Sequence, residues 1–167
     1  MKTIAVIGGG AAGMAAAIAA AEAGTGKRIF ILEHKDVTGK KILSTGNGRC
    51  NLTNEYMDTS CFRSVHPEAI ASVLERFGTK DTLDLFARLG VLTKSRNGYI
   101  YPRSDQASAI LEVLQMHLNK LGVEIHTGTD VKEIVRTKKG FKIITNTGNY
   151  TADKVILATG GKSASVL

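Results

Sequence analysis

The chain is poor in the residues that would signal a stapled or metal-built protein. Of 167 residues only Cys50 and Cys61 are cysteine, with no CxxC pair, which excludes a disulfide framework and a cysteine-based zinc site. The four histidines, His34, His66, His117 and His126, stand too far apart for a usual zinc spacing. A reduced, cytoplasmic, metal-free protein is expected. No apolar run reaches the roughly 18 uncharged residues of a membrane span, because Gly8, Gly9, Gly10 and Gly13 interrupt the most apolar segment. Acidic residues are in deficit, 15 against 22 Lys and Arg, for a net charge of +7. With only 5% aromatic residues there is no interleaved basic and aromatic series, so the charge is read as solvated surface rather than a nucleic-acid footprint. Internal repeats and low-complexity tracts are also lacking. What is left is a globular chain of about one domain, long enough to bury a core unaided.

The order of elements is legible from patterning. Residues 3–7 (TIAVI) form a short β-branched run stopped by Gly8, the pattern of a buried parallel strand. Ala11 to Ala23 reads as a helix stopped by Gly24, and Arg28 to Leu32 (RIFIL) as a second strand ending at Glu33. Together they make a right-handed βαβ unit. Gly39 to Asn54 (GKKILSTGNGRCNLTN) is so rich in Gly, Ser, Thr and Asn that it reads as a long loop. Helical spacing returns from Pro67 to Phe77 and from Lys80 to Leu89.

Ser104 precedes a helix whose Ala107, Ile110, Leu111, Leu114, Leu118 and Leu121 share one face, with Gly122 past its end. Val123 to Thr127 is a third parallel strand candidate. Val131–Arg136, Phe141–Thr145 and Asn149–Thr151, separated by KKG and NTGN, read as an antiparallel meander. Lys154 to Ala158 (KVILA) is another buried strand, running into Thr159, Gly160 and Gly161. The fold class predicted is therefore α/β: a Rossmann-like domain with a parallel sheet, an antiparallel β-meander crossover and an inserted helical segment.

The amino-terminal segment has the loose look of a secretory signal, with Lys2 before an alanine-rich stretch. Its glycines argue otherwise. Gly8-x-Gly10-x-x-Gly13 lies between a strand and a helix, with Glu33 ending the next strand 20 positions after Gly13. Gly8 permits the tight turn, Gly10 lets the backbone approach a pyrophosphate, and Gly13 lets helix and strand pack closely. A helix beginning at Ala11 and Ala12 presents unpaired N–H groups and a partial positive charge to the diphosphate. The Glu33 carboxylate, with His34 beside it, can accept hydrogen bonds from a ribose diol and would repel a 2′-phosphate.

The glycines alone do not separate NAD from FAD. Three features favour FAD: the meander between the third strand and the last; the ending VILATGG, whose Ala158, Thr159 and Gly160 resemble a second flavoprotein motif near the cofactor; and the loop at 39–54. That loop supplies Lys40, Lys41, Arg49 and many backbone N–H groups suited to a diphosphate and ribityl chain.

On IGGGAAGMAAA, GKKILSTGNGRCNLTN, GYIYPRSDQAS and DKVILATGGKS the chain resembles the aminoacetone-oxidase-type family of bacterial NAD(P)/FAD-dependent oxidoreductases. The likeness runs from about Lys2 to Ser163. It implies FAD held by Gly8, Gly10, Ala12, Gly13, Glu33, Lys41, Gly46, Asn51, Val131, Thr159 and Gly160, with Arg49 to Asn51 near the flavin ring. Members of that family are longer: a substrate domain is inserted after the point where this sequence stops, and a final segment returns to complete the flavin site. The expectation is a fragment spanning residues 1–167 as the FAD-binding domain, or a second chain that supplies the remainder.

Other candidates are weaker. A redox reading of Cys50 needs a nearby partner, and Cys61 is distant, so Cys50 is read as a small loop residue beside the cofactor. Arg49 is a candidate for neutralising phosphate or reduced flavin, Asn51 shares its loop, and Arg103 is a substrate-side candidate carried by the resemblance. His126 is read as an ordinary strand residue. GGKS at residues 160–163 lacks the glycine a Walker A loop needs, Ile156 standing there instead. The expected function is an FAD-dependent oxidoreductase whose flavin accepts a hydride equivalent from a small organic substrate, with NAD(P)H a candidate reductant. The alternatives are a nucleotide-binding module acting with a partner such as RNA, as in tRNA modification, and an inactive truncated product.

Overall fold

A computed structural model describes residues 2–161; Lys162 and Ser163 of the GGKS motif lie outside them. In chain order the elements are β1 (Lys2–Ile7), α1 (Ala11–Glu22), β2 (Lys27–Leu32), α2 (Lys40–Ser44), a 3-10 turn (Thr45–Gly48), β3 (Thr53–Asn54), a second 3-10 turn (Thr59–Cys61), α3 (Pro67–Arg76), α4 (Thr79–Arg88), β4 (Thr93–Arg96), β5 (Tyr99–Pro102), α5 (Ala107–Lys120), β6 (Glu124–His126), β7 (Val131–Thr137), β8 (Gly140–Thr145), β9 (Asn149–Ala152) and β10 (Lys154–Leu157). They divide into two compact units, Met1–Lys41 with Leu114–Leu167, and Ile42–Val113.

The first unit carries a four-stranded parallel sheet in the order β10-β1-β2-β6. Ala5, Val6 and Ile7 of β1 and Ile29 to Leu32 of β2 are all buried, as befits central strands covered on both faces. The predicted meander forms as β7-β8-β9, antiparallel throughout. Its Val131, Ile143 and Ala152 join Ala5, Ile7, Phe30 and Leu32 in one buried cluster. A Rossmann-like α/β domain with a meander is thus what the sequence builds.

β10 departs from its expected burial. Among the described residues it pairs with β1 alone, at the end of the four-stranded order, and Leu157 is 60% exposed, with no strand among those residues on its other side. The end of α5 follows the sequence closely. Gly122 takes φ +70, its N–H donates to Asn119 O and the Val123 N–H to Leu118 O, both at 3.0 Å. This closure needs a left-handed residue just past the helix.

In the second unit, β3-β5-β4 form a small antiparallel sheet for which the sequence reading has no strands. The signal was there: Asn97-Gly98 joins β4 to β5 with Arg96 opposite Tyr99. Both turn residues have positive φ, 53° and 81°, which is the two-residue hairpin turn that Asn-Gly favours.

The stretch at 39–54 is not an open loop either. It winds into α2, a 3-10 turn and β3, with Gly46, Asn47, Gly48 and Cys50 at φ between 54° and 81°. The residues that made it look irregular are those that tolerate left-handed backbone. α3 and α4 lie within a residue or two of their expected limits. Pro67 opens α3, and the Asp81 carboxylate accepts the Gly78 N–H at 2.8 Å at the start of α4.

Candidate functional site

The turn from β1 into α1 is built on three glycines that pack and one that does not. A Cβ on Gly8 would fall 2.5 Å from Ala158 O, at a φ of +106°. One on Gly13 would lie 1.8 Å from Gly8 O, so only a bare α-carbon lets the helix abut the turn. Gly9, an unassigned position in the sequence pattern, is confined less severely and by side chains, its would-be Cβ 2.8 Å from Thr38 Cγ2 and 3.1 Å from Glu33 Cβ. Gly10 is the exception. It caps α1 with no side-chain partner, at φ −77° and ψ −173°, and a Cβ there would meet nothing within 4 Å.

The loop is also pinned by hydrogen bonds. The Gly9 N–H donates to Glu33 Oε2 at 2.6 Å, and Gly9 O accepts the Gly39 N–H at 2.8 Å. The Gly8 N–H continues the sheet ladder to Leu32 O at 2.8 Å. Glu33 is 7% exposed. Its Oε1 accepts the Lys35 N–H at 2.8 Å and lies 2.9 Å from His34 Nδ1. A carboxylate offers about four acceptor positions, so Glu33 acts first as a clamp on the glycine loop and keeps little capacity beyond that.

Ahead of Gly10, Ala11 and Ala12 are exposed and the first intrahelical bond is Met14 N–H to Gly10 O at 2.9 Å. The N–H groups before Met14 therefore have no intrahelical acceptor. The loop is tight on its inner side and open where an anion would approach, and it fits a diphosphate.

The remaining expected residues are placed as follows. In the first unit the structure brings Gly8, Gly13, Ala158 and Thr159 into direct contact. Lys40 pairs with Asp36 at 3.7 Å, and Lys41 sits in α2. Val131 opens β7 and is buried in the core, leaving its backbone as the part able to face a ligand. Gly160 takes φ +78° with open space around it.

Gly46, Arg49, Cys50, Asn51 and Arg103 belong to the second unit. A Cβ on Gly46 would lie 2.8 Å from the Asn51 N. The Asn51 Nδ2 donates to Thr53 O at 2.8 Å and Ile100 O at 3.1 Å, which commits its amide to holding the strands. Arg49 adds positive charge near Asp105, whose carboxyl is held below the usual range chiefly by a hydrogen bond from Lys94. Arg103 is exposed just past β5. His126 is half-buried in β6, 3.5 Å from Glu124 Oε2, beyond hydrogen-bond reach. Its ring meets Phe30 edge-on, centroids 6.0 Å apart, and Tyr150 at a tilt of 59°. Gly9, Thr38 and Gly39, which shape the glycine turn, were missed; the signal for Gly9 was a fourth glycine inside the fingerprint.

Two outcomes test this geometry. Gly10→Ala is expected to melt within about 0.5 kcal/mol of the parent, while Gly13→Ala loses about 3 kcal/mol or more in urea unfolding, since backbone and not a flexible side chain blocks the methyl. Burial pushes the Cys50 thiol up, against a smaller lowering by Thr45, so it is a poor thiolate. With a thiol-reactive disulfide at neutral pH, exposed Cys61 reacts promptly and Cys50 only on unfolding. Equal rates would disprove the assignment.

Comparison with known proteins agrees with this architecture. The chain is 53% identical over 167 residues to a 3-dehydro-bile acid delta(4,6)-reductase of Clostridium scindens, covering 100% of this chain and 41% of that protein. It is 31% identical over 159 residues to the ribosomal RNA dihydrouridine synthase of Escherichia coli, covering 95% and 39%. The chain thus spans about two fifths of the length of these relatives, neither of which is named as an aminoacetone oxidase.

Among solved structures, the 3-ketosteroid-delta4-(5alpha)-dehydrogenase of Rhodococcus jostii matches with a TM-score of 0.69 at 16% identity, over 96% of this chain and 46% of that one. Thermovibrio ammonificans THI4 matches with 0.66 at 16%, over 99% and 60%. At such identity these two speak for the fold alone. The family described as HI0933-like protein Rossmann domain matches residues 2–167, and the chain belongs to that family.

Proposed function

We propose that residues 1–167 are the FAD-binding part of an FAD-dependent oxidoreductase acting on a small organic molecule. The observation that carries this is the β1–α1 turn: packed at Gly8, Gly9 and Gly13, open at Gly10, and backed by the clamped Glu33. The N–H groups of Gly10, Ala11 and Ala12 would hold the diphosphate against the positive end of α1. Glu33 would turn its remaining acceptor capacity to the ribose. Thr159 and Gly160 adjoin the same turn through Ala158, and Lys40 and Lys41 would add charge. Assigning Gly46, Arg49, Cys50 and Asn51 to the ring end rests on family resemblance. FAD, when bound, supplies the hydride chemistry.

The names of the two relatives favour hydride delivery to a substrate double bond over withdrawal from a donor. One is a reductase and the other makes dihydrouridine. The greater identity to the bile-acid enzyme favours a conjugated steroid-like acceptor, with NAD(P)H as the reductant.

Reconstitution tests the reading. Protein incubated with FAD and desalted is expected to retain near-stoichiometric flavin absorbance, and Gly10→Val to bind at least about tenfold more weakly by crowding the diphosphate. Colourless protein after reconstitution counts against it.

A second reading, an RNA partner, is favoured by one feature. The β7–β8 hairpin carries exposed Arg136, Lys138, Lys139 and Lys142 within seven residues with no acid among them, a local density that the even overall spread conceals. If it serves RNA, a ribosomal RNA shift assay should weaken steeply as salt rises, and Lys138→Glu with Lys139→Glu should flatten that dependence. Binding unaffected by salt or by the charge reversal rejects this reading.

A further inference from the structure

We propose that Thr38 and Gln115 are positioning residues that set the shape of the glycine loop before any ligand arrives. The inference rests on the dinucleotide reading of that loop but not on the identity of the substrate. Gly9 is held on three sides: its N–H by Glu33 Oε2 at 2.6 Å, its carbonyl by the Gly39 N–H at 2.8 Å, and its α-carbon by Thr38 Cγ2, which leaves no room for a methyl. Two of these three holds come from the adjacent residues Thr38 and Gly39. Their own placement depends on something that fixes this turn.

That anchor comes from far away in sequence. Gln115 Nε2 donates to Thr38 Oγ1 at 3.0 Å, across 77 positions. Thr38 is 3% exposed, so its hydroxyl has no ready exchange with solvent, and losing its partner leaves a buried polar group short of a bond. Gln115 itself cannot drift. It lies in α5 between Leu114 and Leu118, which are 3% and 0% exposed, and the helix end is locked by the Gly122 closure.

The chain of contacts therefore runs from α5 through Gln115 and Thr38 to Gly39 and Gly9, one residue before the open Gly10. Fixing both the N–H and the carbonyl of Gly9 fixes the peptide planes on either side of it. The second of those planes carries the Gly10 N–H, so the contacts on Gly9 aim that group toward the place where a diphosphate would be held.

Residue-resolved amide exchange on the ligand-free protein tests this directly. Thr38→Val keeps the shape and removes the hydroxyl, and Gln115→Leu removes the donor. In both, the Gly9 and Gly39 amides are expected to exchange about tenfold faster, while the sheet amides of Phe30 and Ile31 keep the parent rate. Thr38→Ser, which retains the oxygen that Gln115 holds but loses the Cγ2 methyl beside Gly9, is expected to exchange more slowly than Thr38→Val at Gly39.

With FAD, each single variant is expected to bind about five- to tenfold more weakly, and the double variant no more weakly than either single one, because both break one bond. Unchanged Gly9 exchange, equal acceleration of the sheet amides, or additive losses of affinity would overturn the proposal. A parent protein that binds no FAD would defeat the proposed function instead, and the exchange data would still decide the role of Thr38 and Gln115.

Discussion

The close approach of α1 to the end of β1 is the constraint on which the rest of the first unit hangs. An ordinary side chain at Gly13 would put a methyl carbon 1.8 Å from Gly8 O, well inside any tolerable contact. With hydrogen there instead, the helix starts immediately off the strand, its first N–H groups face outward, and Ala158 of the returning chain packs against the same turn. β1 accordingly lies between β10, whose end packs on the turn, and β2, which leads into Glu33. The shape of the turn and the packing of Ala158 on it rest on the same bare α-carbons.

Glu33 shows how one side chain serves two levels. It ends β2, where Thr129 and His126 satisfy its backbone carbonyl and N–H at 2.9 Å each, and its carboxylate is spent largely on Gly9 and Lys35. Buried charge of this kind is tolerated because each oxygen is hydrogen-bonded. The exposed pair of Arg28 with Glu124, both contacts at 2.7 Å, joins β2 to β6 at the surface. There solvent weakens it, and it contributes little.

Much of this was legible in the sequence, and the reasons differ by element. β1, β2, α1, α5 and the meander were found because their patterning is local: apolar runs, helical spacing, and turns spelled by glycine and asparagine. The fingerprint was found because its spacing is a geometric necessity. What escaped was of two kinds. The β4–β5 hairpin was obscured because Thr93 to Arg96 is polar, and only Asn97-Gly98 announced it. The edge position of β10 and the fastening of Gly9 through Thr38 and Gln115 depend on residues brought together by folding, and no local pattern encodes them. The family that matches is the one described as HI0933-like protein Rossmann domain, and neither relative is named as an aminoacetone oxidase.

The turn between Gly46 and Cys50 has a thermodynamic consequence. Gly46, Asn47, Gly48 and Cys50 share a narrow backbone region, φ 54° to 81°, and the segment is closed on itself by the Arg49 N–H to Gly46 O and the Cys50 N–H to Thr45 O. A segment so confined has already surrendered most of its conformational entropy during folding. A molecule that met this turn in the shape it takes here would leave the cost of forming it to folding rather than to binding.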